Sequence, residues 1–172
     1  MKKIHQSLQD GKFETARRLC LQALAAATPS TRAPLAALLH DALRAEGDLW
    51  EAVRQVEAVP PTSDAARLAA ALLLAEDYHQ LSEYGFYRGS DYEKRGLTGE
   101  QYADLMQADA TRHFTTATTL AVTPEWRDRV AACLRRCGRN AEADELAPPP
   151  PVAVVAESAP GATASVRGRI LL

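Results

Sequence analysis

The sequence predicts an all-α protein built of antiparallel helix pairs, and three observations carry that expectation. Alanine and leucine, 33 and 21 residues, make up nearly a third of the 172-residue chain, whereas strands would draw on Val, Ile, Thr and aromatics. Apolar residues recur at steps of three and four, in Phe13, Ala16, Leu19, Cys20, Ala23 and Leu24 and again in Leu35, Leu38, Leu39, Ala42 and Leu43. Each such segment therefore has one apolar face. Gly11, Gly47 and Gly138 each follow one run and precede another, which marks them as turns between antiparallel helices.

Start and stop signals divide the chain further. Ser30 or Thr31 is placed to cap a helix over about 32–45, and Asp48 one over about 48–58, which Val59-Pro60-Pro61 ends because proline lacks an N–H and restricts its predecessor. Ser63 opens a long helix to about Tyr84. Thr98 and Gln101 have capping-box spacing ahead of a helix reaching about Ala121, and Thr123-Pro124 has the cap-then-proline order of another, ending near Cys137. A short helix over about 139–146 completes a helical domain at residues 1–146. Residues 147–164, with Pro148 to Pro151 holding the backbone extended, read as a disordered Pro/Ala-rich linker, and residues 165–172 as a C-terminal peptide.

Composition narrows the function. Hydrophobic residues at 47% and charged ones at 24% exclude a fully disordered chain, and a net charge of -2 supplies no general field for nucleic acid or an anionic membrane. Three cysteines, Cys20, Cys133 and Cys137, lack the even pattern of a disulfide-stapled domain. Met1-Lys2-Lys3 runs into polar Gln9, Asp10 and Lys12 rather than an apolar signal core, and no window approaches the roughly 20 apolar residues of a membrane span. A cytoplasmic location is the expectation.

A repeat is visible within the chain. Gly11-Lys-Phe-Glu-Thr-Ala16 matches Gly47-Asp-Leu-Trp-Glu-Ala52 at an offset of 47 − 11 = 36 residues, and Gly138-Arg-Asn-Ala-Glu-Ala143 returns the same frame. Leu39 and Leu43 lie eight and four residues before Gly47, as Val130 and Leu134 do before Gly138. On these residues, with Val59 and Pro60 closing the second copy, the chain resembles the tetratricopeptide repeat, a helix–turn–helix unit of about 34 residues. The resemblance implies stacked helix pairs that bind other proteins. His40 stands where that family has a small residue, the first copy has little chain before Gly11, and residues 62–125 fit no repeat frame, so the architecture stays open between a tetratricopeptide-like α-solenoid and an irregular helical bundle.

Candidate sites are few. The segment from Tyr78 to Tyr102 holds six of the ten aromatics, and within it Tyr84, Phe86, Tyr87, Arg88 and Tyr92 combine contact area with polar handles suited to partner binding. The competing reading makes these aromatics a plug between long helices. Ile170, Leu171 and Leu172 end the chain as a sticky peptide behind a spacer, the layout of a tethered docking motif; the competing reading packs them on the chain's own domain or leaves them frayed. Cys133 and Cys137 have the i, i+4 spacing of two metal ligands but no further pair, and read as small buried hydrophobes. Arg127, Arg129, Arg135, Arg136 and Arg139 make a basic surface that Asp128, Glu142 and Asp144 dilute. Glu76-Asp77 with His79 is the nearest approach to an acid/base cluster and reads as an exposed helix end.

No catalytic residues, metal or cofactor are assigned. The expected function is protein binding, as an adaptor, scaffold or chaperone-like subunit with a protein partner, and neither membrane nor nucleic acid is expected to be one. The alternative is a small helical enzyme or regulator using residues 78–102 as a ligand site.

Overall fold

The computed structural model describes residues 1–84 and 96–148, with Tyr84 described by its backbone alone. Among them are eight helices and no strand: α1 (Lys2–Gln9), α2 (Phe13–Ala25), α3 (Pro29–Glu46), α4 (Leu49–Glu57), α5 (Asp64–Tyr84), α6 (Gly99–Leu120), α7 (Pro124–Arg136) and α8 (Asn140–Leu146). Each helix packs on its neighbour in the chain, and α1 also reaches α3 as α5 reaches α7.

Caps explain most of the boundaries. The Asp48 carboxylate accepts the Glu51 amide, Ser63 Oγ accepts the Ala66 amide, Thr98 and Gln101 form the expected capping box, and Thr123 Oγ1 accepts the Trp126 amide ahead of Pro124. The start of α3 differs from expectation. Thr28, not Ser30 or Thr31, is its N-cap, with Thr31 returning the second bond of a capping box and Pro29 at the first helical position. Proline there gives up an amide that has no helical partner anyway, so the helix begins three residues earlier than the hydroxyl pair suggests.

The three glycine turns are copies of one another. Gly11, Gly47 and Gly138 have φ of 71°, 80° and 72°. The residue after each, Lys12, Asp48 or Arg139, donates its amide back five residues to Ser7, Leu43 or Leu134 at 2.8, 2.9 and 2.9 Å. These bonds satisfy carbonyls that a helix end would otherwise leave open, and they need a left-handed residue that glycine supplies without strain. The alanine five residues after each glycine, Ala16, Ala52 or Ala143, has no exposed surface. A small side chain lets the second helix of each pair lie close against the first.

The core falls into three clusters in chain order. Ile4, Ala16, Cys20, Leu39, Leu43 and Ala52 join α1 to α4; Trp50, Val53, Leu74, Tyr78, Tyr102 and Met106 join α4, α5 and α6; Leu68, Leu72, Phe114, Val130 and Leu134 join α5 to α8. Helix α5 contributes to two clusters from different faces. It is apolar on most sides because it is enclosed on most sides. Ala147, which the sequence assigns to the linker, packs on the last cluster and accepts a 2.8 Å hydrogen bond from Arg135. The rest of the linker beyond Pro148, and the C-terminal peptide, lie outside the described residues.

Candidate ligand-binding face

Helices α3, α5 and α7 share a face whose charged end is a connected set of ion pairs. His40 and Arg44 stand one turn apart on α3, Glu76, Asp77 and Gln80 on α5, and Arg136 at the end of α7. His40 Nε2 lies 2.6 Å from Asp77 Oδ2, and both side chains are almost wholly buried. Arg44 Nη1 donates to Glu76 at 3.2 Å and stands 3.5 Å from Asp77 Oδ1, while its Nη2 donates to Gln80 at 3.2 Å. Arg136 binds the other Glu76 oxygen through Nε at 2.8 Å and also through Nη2. Glu76 thus ties α3 and α7 to α5.

Electrostatics favour the charged forms of His40 and Glu76. Burial of His40 favours the neutral ring, yet the hydrogen bonds it donates to Asp41 and Asp77, with the charges of both, outweigh it and lift the imidazole pKa to about 9. Burial likewise opposes ionisation of Glu76, but the bonds from Arg136, Cys133 and Arg44 hold its pKa below the usual carboxylate value. Only His40 and Asp77 are cut off from water, and there each group depends on its partner; Arg44 and Arg136 reach solvent.

The other end of the face is open and apolar. Between the N-terminal halves of α3 and α5 lies a cavity of about 370 Å³ lined by Ala33, Ala37, Val59, Ala66, Ala70 and Leu73 among others. A second, of about 350 Å³, crosses from Ala69, Leu72 and Leu73 of α5 to Arg129 and Ala132 of α7, and ends at Glu76 and Arg136. A third, of about 250 Å³, holds Arg44, Glu76, His79, Gln80, Arg136 and Cys137. Shared residues make the three continuous, so the face grades from alanine-floored to charged.

Of the partner-binding residues expected from sequence, the backbone of Tyr84 ends α5; Phe86, Tyr87, Arg88, Tyr92, Ile170, Leu171 and Leu172 lie outside the described residues. The two ends of the aromatic segment are core. Tyr78 and Tyr102 pack edge-on against Trp50 with ring centroids 6.4 and 6.2 Å apart. Tyr78 also stacks on His113 at 5.6 Å and donates to Glu57 at 2.8 Å, and burial together with that carboxylate pushes its hydroxyl pKa up.

Other sequence readings fare differently. Cys133 and Cys137 are buried beside Val130 and Leu134, as the apolar phase requires, and three of the five arginines of the basic surface are ion-paired, Arg135 with Asp144, Arg139 with Glu142 and Arg136 with Glu76, while Arg127 donates to the Ala121 carbonyl. The reading of Glu76-Asp77 as an exposed helix end is overturned. Helix α5 runs on to Tyr84, and Asp77 is fully buried because its position faces α3. His40, noted only as a departure from a small-residue position, is the partner the sequence reading missed. The available signal was their separation, 77 − 40 = 37, one repeat length plus one residue.

Among the described residues, no three His, Cys, Asp or Glu side chains are grouped to hold a metal ion, and no helix is long and apolar enough to cross a membrane. The chain matches no protein-family model and has no significant match among curated proteins or solved structures.

Proposed function

We propose that this chain is a protein-binding module, an adaptor or scaffold subunit made of tetratricopeptide-like helix pairs, and that the face of α3, α5 and α7 takes an apolar segment of its partner. The observation that carries this reading is the alanine-floored cavity between α3 and α5. Alanines leave room for inserted side chains, and burying apolar groups there stabilises a complex by about 25 cal/mol per Å² before ordering costs. The three superimposable glycine turns, and the pairing of α3 with α5 at 32, 36 and 37 residues (Arg44–Glu76, Arg44–Gln80, His40–Asp77), support repeated helix pairs with α3 and α5 running the same way. Ion pairs at the charged end fix the spacing of the helices that form the floor. Residues 165–172 serve in this reading as a second docking element on a tether.

A ligand site on residues 78–102, the alternative, would rest on the residues between Tyr78 and Tyr102, since these two are committed to the core. The test is capture of complexes by the intact chain, by an Ala70→Arg variant and by a chain ending at Ala147. Ala70→Arg, with helix content kept, should weaken a complex by about thirtyfold or more, the size of a hot-spot loss. Complexes unchanged by that substitution would remove the face from the account.

A further inference from the structure

We propose that Cys133 and Cys137 form a dithiol that a hydroperoxide oxidises to a disulfide within α7 and its cap, with Cys137 as the attacking sulfur. This stands apart from the partner-binding reading and rests on four observations. Cys137 borders the 250 Å³ cavity beside Arg44, Glu76 and Arg136, whereas Cys133 is fully buried, 3.8 Å from the Leu72 carbonyl. Cys133 and Cys137 stand one helical turn apart on the same side of α7. Cys137 is the C-cap, with ψ of 15° and an amide shared between the carbonyls of Cys133 and Leu134 at 3.2 and 3.1 Å, and Gly138 follows. Cys137 is thus the first residue past the last regular turn of its helix.

Geometry allows the bond at a modest price. Four residues of helix separate Cα atoms by about 6 Å, inside the range a disulfide accepts, but Cβ atoms about 5–6 Å apart must close to about 4 Å. The last turn can supply that movement only by tightening at Cys137. Arg136 is in that turn and holds Glu76, so oxidation would pull on the charged end of the α3–α5–α7 face.

Surroundings divide the two roles. The neighbouring Cys133 thiol favours the Cys137 thiolate against the burial that opposes it, with Arg136 and Arg44 helping and Glu76 opposing. The same proximity, burial and Glu76 push the Cys133 thiol up. Cys20 is a third, unrelated case, fully buried in the first cluster and raised to about 11 by burial and Asp41.

The steps balance. The Cys137 thiolate attacks one peroxide oxygen, the O–O bond breaks, and the departing alkoxide takes a proton to leave as alcohol, giving a sulfenic acid. Cys133 sulfur then attacks the Cys137 sulfur, the S–OH bond breaks, and hydroxide leaves with the Cys133 proton as water. Two thiols and one hydroperoxide become a disulfide, an alcohol and water.

The test uses hydrogen peroxide in slight excess over the full chain, then alkylation and non-reducing tryptic mapping. The expected product links the peptide 130–135 to the peptide 137–139 while Cys20 stays alkylatable, and iodoacetamide should label Cys137 at least about tenfold faster than Cys20. Cys133→Ala should leave Cys137 as a sulfenic acid that dimedone traps, with circular dichroism unchanged. Should that variant unfold, the peptide link and the labelling rates of the native chain decide alone. Cys20 reacting as fast as Cys137, or Cys137 passing to sulfinic acid with no link formed in the native chain, would overturn the proposal.

Discussion

His40 and Asp77 meet at 2.6 Å with neither side chain reached by solvent, so α3 and α5 are joined through a histidine–aspartate pair inside the protein. A buried pair of this kind is weak evidence for stability by itself, since taking both charges out of water offsets much of their attraction. Its sure consequence is dependence: whatever removes one partner leaves the other in a place that cannot hydrate it.

Stability should therefore fall as pH rises from about 6.5 to about 9. The folded-state pKa of His40 is raised above its ordinary value of 6.5 to about 9. A raised histidine contributes fully below the unfolded pKa, and the contribution is lost as pH climbs through the folded one, by roughly 3 kcal/mol in all. Urea unfolding at the two ends of that window checks this, with an unchanged midpoint as the contrary result.

Asp77→Ala should reduce that pH dependence, Asp41 retaining part of it, and destabilise the fold by about 3 kcal/mol. The buried imidazole can shed its proton, which limits the damage to the lower end of what a broken buried pair costs. The double variant His40→Met, Asp77→Leu should recover most of the loss, because apolar side chains of similar volume need no partner. A double variant no more stable than Asp77→Ala would mean that the pair is required for packing rather than charge.

The alanine contacts make a separate prediction. Ala16→Leu, Ala52→Leu and Ala143→Leu should each cost about 1–3 kcal/mol through overpacking. Ala141→Leu, at an exposed position two residues from Ala143, should stay within about 0.5 kcal/mol of the parent. Thermal melts of the four variants check the shared frame, which equal effects at Ala141 and Ala143 would contradict.

Gly138→Ala should cost about 1 kcal/mol. A Cβ built there meets nothing within 4 Å, so the loss comes from the backbone, whose φ of 72° is strained for any residue with a Cβ. Denaturant midpoints of the variant and parent measure it.

The turns and close contacts were legible because their causes are local. A left-handed glycine and a small residue five positions later specify a tight helical hairpin within a dozen residues, and Gly11, Gly47 and Gly138 with Ala16, Ala52 and Ala143 do so three times. Asp48, Thr98 and Thr123 announce helix starts by the same locality. The His40–Asp77 pair was legible only through its 37-residue separation, since the contact depends on the rotational phase of two helices, and a Glu-Asp step in the middle of α5 looks in sequence like a helix end. The face of α3, α5 and α7 escaped for the same reason. Its floor consists of alanines that any helix could carry.

Selection of peptides from a random library on the full chain, followed by hydrogen-exchange mapping of those that bind, tests the binding face most directly. Protection is expected on α3 around Ala33–Ala37, on α5 around Ala66–Leu73 and on α7 around residues 129–132, with binding lost in Ala70→Arg while the helix content is kept. Peptides that protect other elements, or that bind Ala70→Arg as tightly as the parent, would contradict it.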